Sequence, residues 1–322
     1  TPSNVNWKKR RIRGEIFAKD INQWVPYSFP FPNVVYNRIQ DRIHEDTESS
    51  QLCIQRFLSK PGITLFNPGF FNKGKINSIL SNSPIIKKYI PETKALLSKT
   101  DLINMLKRHN TIYLKPTNAR LGTGIIRVVN SQSQKLYTMH YYAHNEDLKE
   151  YRAQNIHLLW NKIRQEMIQC PYIVQQAISL AAVSTCPFDC RVLVQKNHQG
   201  LWKISGLGIR IAAHSQSLTT HVPRGGRIGT AKVVLQLAFP QLRPNIVEQR
   251  IHQLCIATAK RLEKHYTLGE MSIDVGLDHN GYPWIFEANS KPMKFDEPAI
   301  REKQLGQVIR YSQFLTFSRI LK

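Results

Sequence analysis

Glu287 and Asn289 close the apolar run PWIFEAN at 283–289, and Asp274 lies in EMSIDVGLD at 270–278 just upstream. Residues i and i+2 of a strand share a face, and the HNG between the runs is a hairpin signal. Asp274, Glu287 and Asn289 therefore converge as hard oxygen donors, a set suited to Mg2+, or Mn2+, holding phosphates. A cation would make the acid tolerable in a strand where an unpaired carboxylate is costly. The hairpin alone leaves another reading open: Glu287 pairs with one of the 45 Lys and Arg residues. Trp284 and Phe286 read as core, and Lys291 as either a phosphate contact or a cap for the turn.

A second group is YLKPTNARLGTGIIRV at 113–128. Lys115 is an isolated cation in an apolar strand. Gly122 and Gly124 allow backbone N–H groups to approach phosphate oxygens closely. The segment is not a Walker loop, since GK[ST] is absent and a strand follows where a helix should. Taken alone, GTG is also an ordinary tight turn.

These residues need elements to hold them. β-branched runs predict strands at 111–116, 124–129, 172–178, 188–196, 201–213, 270–278 and 283–289, the last two joined as a hairpin. Apolar spacing predicts helices near 41–60, at 73–90 with a break at Ser83-Pro84, and from 102 behind the caps Thr100 and Asp101. EDLKEYRAQNIHLLWNKIRQEMI at 146–168 reads as one amphipathic helix with Leu158, Leu159, Ile163 and Met167 on one side, and two more follow near 245–266 and 298–320. The mixture lacks a strict βα alternation, which argues an α+β or mixed α/β fold.

The chain of 322 residues is long enough for two or three subdomains, and 42% hydrophobic residues fit a globular protein. No apolar run approaches a membrane span, so no membrane partner is expected, and no signal peptide is visible. Five scattered cysteines, Cys53, Cys170, Cys186, Cys190 and Cys255, fit reduced thiols in a cytoplasmic protein better than zinc. The net charge of +23 predicts attraction to anions without choosing among nucleic acid, nucleotide phosphates and acidic polymers. WKKRRIR at 7–13 reads as a solvated basic arm.

The two groups together, LKP…G.G followed by D…E.N, resemble the ATP-grasp superfamily. PFPNVVYNRI, FNPGFFNKGKI, YIPET, IYLKPTNARLGTGIIRV, YIVQQAISLA, FDCRVLVQK, HVPRGG and GEMSIDVGLDHNGYPWIFEANSKP follow one another as in the YheC/YheD-type ATP-grasp proteins, which are associated with bacterial endospore coats. The likeness covers roughly residues 25–300. It implies two α+β lobes gripping ATP: a lobe at 71–177 with the glycine-rich lid loop, a C-terminal lobe at 178–322 with the metal site, and a reduced N-terminal domain at 1–70.

Carried over, Lys73 matches the lysine of a DK element, with Asn72 in place of the acid, and Lys115 the second phosphate-binding lysine. Gln175, Gln176 and Ile178 match the hinge whose backbone pairs with adenine. Asp274, Glu287 and Asn289 match the metal triad, and Arg210 and Arg224 match positions near the transferred phosphoryl group. Asp189 and Arg191 match a D-x-R step, open between ribose contact and a structural Asp–Arg pair. The chain departs from the pattern at Ala119-Arg120 in the lid, where small residues are usual, and at His221, where relatives carry Asn. His221, His252 and His265 read as surface or packing residues.

The implied activity is an ATP-dependent carboxylate–amine ligase forming an amide through an acyl phosphate with release of ADP. Its partners would be a carboxylate, with an acidic peptide or polymer as candidate, and an amine. The implied setting is the bacterial cytoplasm or the spore. Two rivals stay in view: a spore-coat structural protein with vestigial nucleotide binding, and a basic nucleic-acid-binding protein, which lacks an RRM-type aromatic signature.

Overall fold

The computed structural model describes residues 1–117, 123–143 and 147–320. Gly122, Ala119 and Arg120 lie outside the described residues. The N-terminal segment forms an antiparallel sheet of β1 (Val5–Asn6), β2 (Arg11–Ala18) and β3 (Gln23–Pro30). The basic run at 7–13 is thus partly strand rather than an arm. β4 (Val34–Tyr36) pairs parallel with β5 (Thr64–Phe66) across α1 (Arg42–Glu45) and α2 (Glu48–Leu58). α3 (Lys73–Ser81) ends just before Ser83-Pro84.

The second sheet runs in the order β10-β9-β8-β7-β11-β6, built from β6 (Thr93–Leu96), β7 (Thr111–Pro116), β8 (Ile126–Ser131), β9 (Leu136–Ala143), β10 (Asp147–Ala153) and β11 (Tyr172–Gln176). α4 (Lys99–Arg108) and α5 (Ile156–Glu166) supply Leu102, Met105, Leu106, Leu159 and Ile163 to a core with Ile112, Leu114, Ile126, Val128 and Val174. Period-2 alternation then sends Tyr113, Lys115, Arg127 and Gln175 to the opposite face.

The third sheet runs β15-β14-β13-β16-β17, with β12 (Ala182–Val183) beside β13 (Cys186–Lys196), then β14 (Trp202–Ile211), β15 (Arg227–Gly229), β16 (Glu270–Leu277) and β17 (Pro283–Asn289). α6 (Ala231–Ala238), α7 (Pro244–Leu262) and α3 cover one face, burying Val234, Ile251, Leu254, Ile76 and Leu80 against Val192, Ile209, Ile273 and Val275. α3, expected with the second sheet, therefore shares its core with the third. The other face is half covered: α8 (Pro298–Ile320) brings Ile300 to Leu193 and Phe295, and Gly206 is where a Cβ would strike Ile300. The uncovered half faces the second sheet.

Three element readings are corrected. The single helix at 146–168 is strand β10 followed by α5. Tyr151 and Ala153 pair with Met139 and Tyr137 of β9, and Asn155 accepts hydrogen bonds from His157 and Leu158 N–H, starting the helix there. Leu159 and Ile163 are buried, but Leu158 is exposed. The helix placed behind Thr100 and Asp101 starts earlier: Ser98 is its N-cap, and Asp101 closes a capping box back to Ser98 N–H. Trp284 and Phe286 are half-buried rather than core; Ile285 and Ala288 fill that role.

Candidate active site

A β-bulge decides where the acid of PWIFEAN points. β16 and β17 pair Val275 with Ile285 and Asp274 with Glu287, so Phe286 is an extra residue in the ladder. Without it, Glu287 would share the face of Ile285 and enter the core. With it, Phe286 and Glu287 both reach the open face. The Phe286 ring lies over Gly276, where a Cβ would collide with it. Asn289, opposite Ser272, stays on the face of Glu287 and Asp274.

A row of charges crosses four strands on this face. Arg210 of β14 stands opposite Asp189 of β13, Arg191 of β13 opposite Asp274 of β16, and Asp274 opposite Glu287 of β17. Arg210 is buried and donates Nε to Asp189 Oδ1 at 2.9 Å and Nη2 to Oδ2 at 3.0 Å; Thr220 Oγ1 also donates to Oδ2, at 2.8 Å. The structural pairing of Asp189 is therefore with Arg210, across the ladder, and not with Arg191. Arg210 Nη2 lies 3.3 Å from Asp274 Oδ1. Burial pushes the Asp274 carboxyl up, but Arg210 and then Arg191 outweigh it and hold the group below the usual aspartate range. Burial lowers the Arg210 guanidinium, and Asp274 and Asp189 together overcome that and raise it. Arg210 is thus a fixed cation.

His221, read from sequence as a surface or packing residue, faces this group, with Nδ1 3.5 Å from Arg210 Nη1. Burial, and then Arg210, lower its pKa, so it stands as a neutral imidazole at pH 7. One 3-10 turn on, Arg224 reaches the second sheet, with Nη2 3.4 Å from Thr123 Oγ1, just before β8, and its guanidinium 5.2 Å from the Tyr142 ring centroid.

The second sheet supplies the opposing wall. Lys115 donates to Gln175 Oε1 at 2.6 Å, and Gln175 Nε2 donates to Thr93 Oγ1 at 2.9 Å. The ammonium group of Lys115 sits between the rings of Tyr113 and Phe286, 5.6 and 5.4 Å from their centroids. Burial dominates and pushes Lys115 down from 10.5 to about 8, although Glu287 pulls the other way. Lys73 opens α3 and lies 3.4 Å from Glu287 Oε1, each side chain about a third exposed. The ion-pair reading of Glu287 and the lysine reading of Lys73 thus meet in one contact. Asn72 caps α3 by accepting from Lys75 N–H at 3.0 Å, work that an Asp would do equally well.

Gln176 closes β11 by pairing with Glu92: its N–H donates to Glu92 O at 2.8 Å, and its Oε1 accepts from Glu92 N–H at 3.1 Å. Ile178 follows in the loop and lines a cleft of about 590 Å3 with Tyr113, Arg127, Leu218 and Thr220. Gly124 has φ +72°, and a Cβ there would come within 2.8 Å of Tyr172 Oη, which donates to Gly124 O at 3.0 Å. Glycine at position 124 is thus required by the close contact with Tyr172.

The residues fit a magnesium–nucleotide group. Asp274 Oδ1 is buried and meets Arg210 Nη2 only as an ion pair at 3.3 Å, without a hydrogen bond. No group of three or more His, Cys, Asp or Glu able to cage a metal occurs among the described residues. Two carboxylates and an amide oxygen, with phosphate oxygens completing the shell, is the coordination Mg2+ accepts.

The YheC/D-like ATP-grasp family model matches residues 62–315. The chain belongs to this family. It is 27% identical over 293 residues to the endospore coat-associated protein YheD of Bacillus subtilis (strain 168), across 89% of this chain. It spans 62% of the length of YheD. To the endospore coat-associated protein YheC of the same strain it is 20% identical, across 91% of this chain and 79% of YheC. Among solved structures, the ATP-grasp ligase PsnB, complexed with a minimal precursor, aligns with TM-score 0.52 and 12% identity over 92% of this chain and 86% of that chain. The ATP-grasp fold of this family member is thereby placed on both sequence and architecture.

His221 stands out in the sequence as a departure three residues before Arg224 in HVPRGG, and its contact with Arg210 comes only from the structure. Tyr113 could have been found as the i−2 neighbour of Lys115 on the same strand face. Lys291 is neither a phosphate contact nor a turn cap: it is buried against Glu45.

Proposed function

We propose that this chain is an ATP-dependent carboxylate–amine ligase that works through an acyl phosphate and releases ADP. The observation that carries the reading is the opposition, across one cleft, of a desolvated Lys115 and the Asp274–Glu287–Asn289 face. Lys73 and Lys115 would neutralise phosphate oxygens, and the hinge would present backbone to adenine at Ile178, past the N–H groups of Gln176 and Ala177 that already bond Glu92 O and Thr111 O. Asp274, Glu287 and Asn289 would hold Mg2+ (Mn2+ is an accepted substitute for such donors), which supplies charge neutralisation between phosphoryl groups. A substrate carboxylate oxygen attacks the γ-phosphorus while its bond to the β–γ bridging oxygen breaks, so ADP leaves. An amine nitrogen then attacks the acyl carbon, phosphate departs and the amine gives up a proton. Positioning and electrostatics carry such steps.

Arg210 spends two donors on Asp189 and lies against Asp274. We assign it chiefly the task of holding Asp274, with its Nη1 edge, beside His221, turned to the reacting group. Arg224, in contact with the lid residue Thr123, is the arginine that senses lid position. The lobes are taken as 71–177 and 178–322 behind an N-terminal domain at 1–70, with α3 docked on the second lobe. The spore-coat names of the relatives support a bacterial, spore-associated setting. No helix among the described residues is long and apolar enough to cross a membrane.

The test is hydroxylamine trapping. Mg-ATP, hydroxylamine and a panel of acidic, neutral and basic carboxylate peptides are incubated with the chain, and ADP and hydroxamate are measured. Both products, in equal amounts and dependent on the carboxylate, are expected. Neither product with any peptide, from a chain that binds Mg-ADP, would leave the vestigial-binding reading in its place.

A further inference from the structure

The far end of the metal strand is tied to the N-terminal segment through a buried ion pair. Glu45 ends α1, and Lys291 lies two residues beyond Asn289; both side chains are 4% exposed and they pair directly. Glu45 has two further partners. Its Oε2 accepts from Asn37 Nδ2 at 3.0 Å, and its Oε1 accepts from Phe70 N–H at 2.7 Å. Lys291 also lies over the Phe70 ring, 4.6 Å from its centroid, and 3.4 Å from Ile39 O.

Neighbouring bonds run between the same segments. Ser290 Oγ donates to Gly69 O at 2.8 Å, the fully buried Asn67 donates Nδ2 to Ser290 O, and Arg38 Nη1 donates to Pro292 O at 2.9 Å. Residues 67–72 lead directly into Lys73, and residues 290–292 lead directly out of Asn289. Both ends of the Lys73–Glu287 contact are therefore fixed by one buried node.

Resting on the ligase reading above, we propose that Glu45 and Lys291 are positioning residues that set the spacing between the phosphate lysine Lys73 and the metal face Glu287/Asn289. The N-terminal segment is then a working part of the site and not a remnant beside it. A buried pair is weak support for stability by itself, because desolvation offsets its attraction. Its retention makes sense where register matters, and outer partners of metal ligands set ligand geometry.

The experiment compares ADP affinity with and without Mg2+ for the whole chain and for Lys291→Met and Glu45→Gln. Lys291→Met keeps an apolar stem over Phe70, and Glu45→Gln keeps an acceptor for Phe70 N–H, so both variants are measured below their own melting temperatures. The expected result is that the gain in ADP affinity on adding Mg2+ falls by about tenfold or more in each variant, the scale of losses from outer-shell changes. Metal-free ADP affinity is expected to stay near that of the parent chain. A lower melting temperature with the Mg2+ gain unchanged would make the pair merely structural and overturn the inference. A parent chain that binds no nucleotide would instead overturn the ligase reading, so the two failures are distinguishable.

Discussion

At the scale of single residues, the carboxylates Asp189, Asp274 and Glu287 each meet a counter-charge, Arg210 for the first two and Lys73 for the third. Glu287 is the test case, because its partner Lys73 is itself a candidate phosphate ligand. Glu287→Gln is expected to lower ADP production from Mg-ATP by about a hundredfold, or roughly 2.7 kcal/mol of transition-state stabilisation. The melting temperature without metal should barely move, since a pair this exposed contributes at most about 1 kcal/mol. A marked loss of stability with full activity would remove Glu287 from the chemistry. Lys115 gives a pH prediction. Its folded value of about 8 lies below the ordinary 10.5, so below pH 8 the folded chain carries the full cost of a desolvated cation. That cost is relieved as pH rises from 8 toward 10.5, where the unfolded chain holds more protons, so this residue makes stability rise with pH in that window. Phosphate binding needs the charged form. ADP affinity should therefore weaken as pH passes 8, and Lys115→Met should abolish that dependence; an equally steep dependence in the variant would assign it to another group.

At the scale of elements, the β7–β8 pair and the β16–β17 pair depend on local backbone devices. Gly124 holds a left-handed conformation against Tyr172. Gly124→Ala is expected to cost about 1–2 kcal/mol from backbone strain alone, measurable by urea titration, and to weaken ADP binding because the lid root shifts. Unchanged affinity would mean that the lid is positioned from elsewhere. The bulge at Phe286 is the corresponding device in β17.

At the scale of the molecule, two sheets present polar faces to each other across a cleft, and ligand filling it should hold them together. Contacts already bridge the gap: Arg127 Nη2 donates to Gln216 Oε1 at 2.7 Å, and the Lys115 ammonium approaches Phe286. Mg-ADP at a hundredfold excess over Kd should stabilise the fold by about 2.7 kcal/mol, a rise of several degrees in melting temperature for a chain of this size. No rise in a folded sample would contradict nucleotide binding. The net charge of +23 should favour acidic acceptors. Acidic peptides are expected to stimulate ADP formation more than basic ones at low ionic strength, and added salt should narrow the difference. Equal stimulation by both would separate the charge from substrate choice.

The sequence by itself determined the parts whose chemistry is local. Lys115 before Pro116, the pair Glu287 and Asn289, and the hairpin between β16 and β17 are written in residue type and short spacing, and their order along the chain carried the family resemblance. Tertiary structure alone decided three things. Asp189 pairs with Arg210 rather than Arg191 because the partner is set by cross-strand register between residues 21 apart. The run at 147–153 is a strand because β9, the strand just before it, offered it a ladder, and that pairing outweighs the helix preference of its Glu, Lys and Arg. Glu287 faces the cleft because one extra residue, Phe286, shifts the alternation of an otherwise apolar strand. Periodicity within the strand cannot reveal this, since the bulge exists only against the partner strand that Phe286 fails to match.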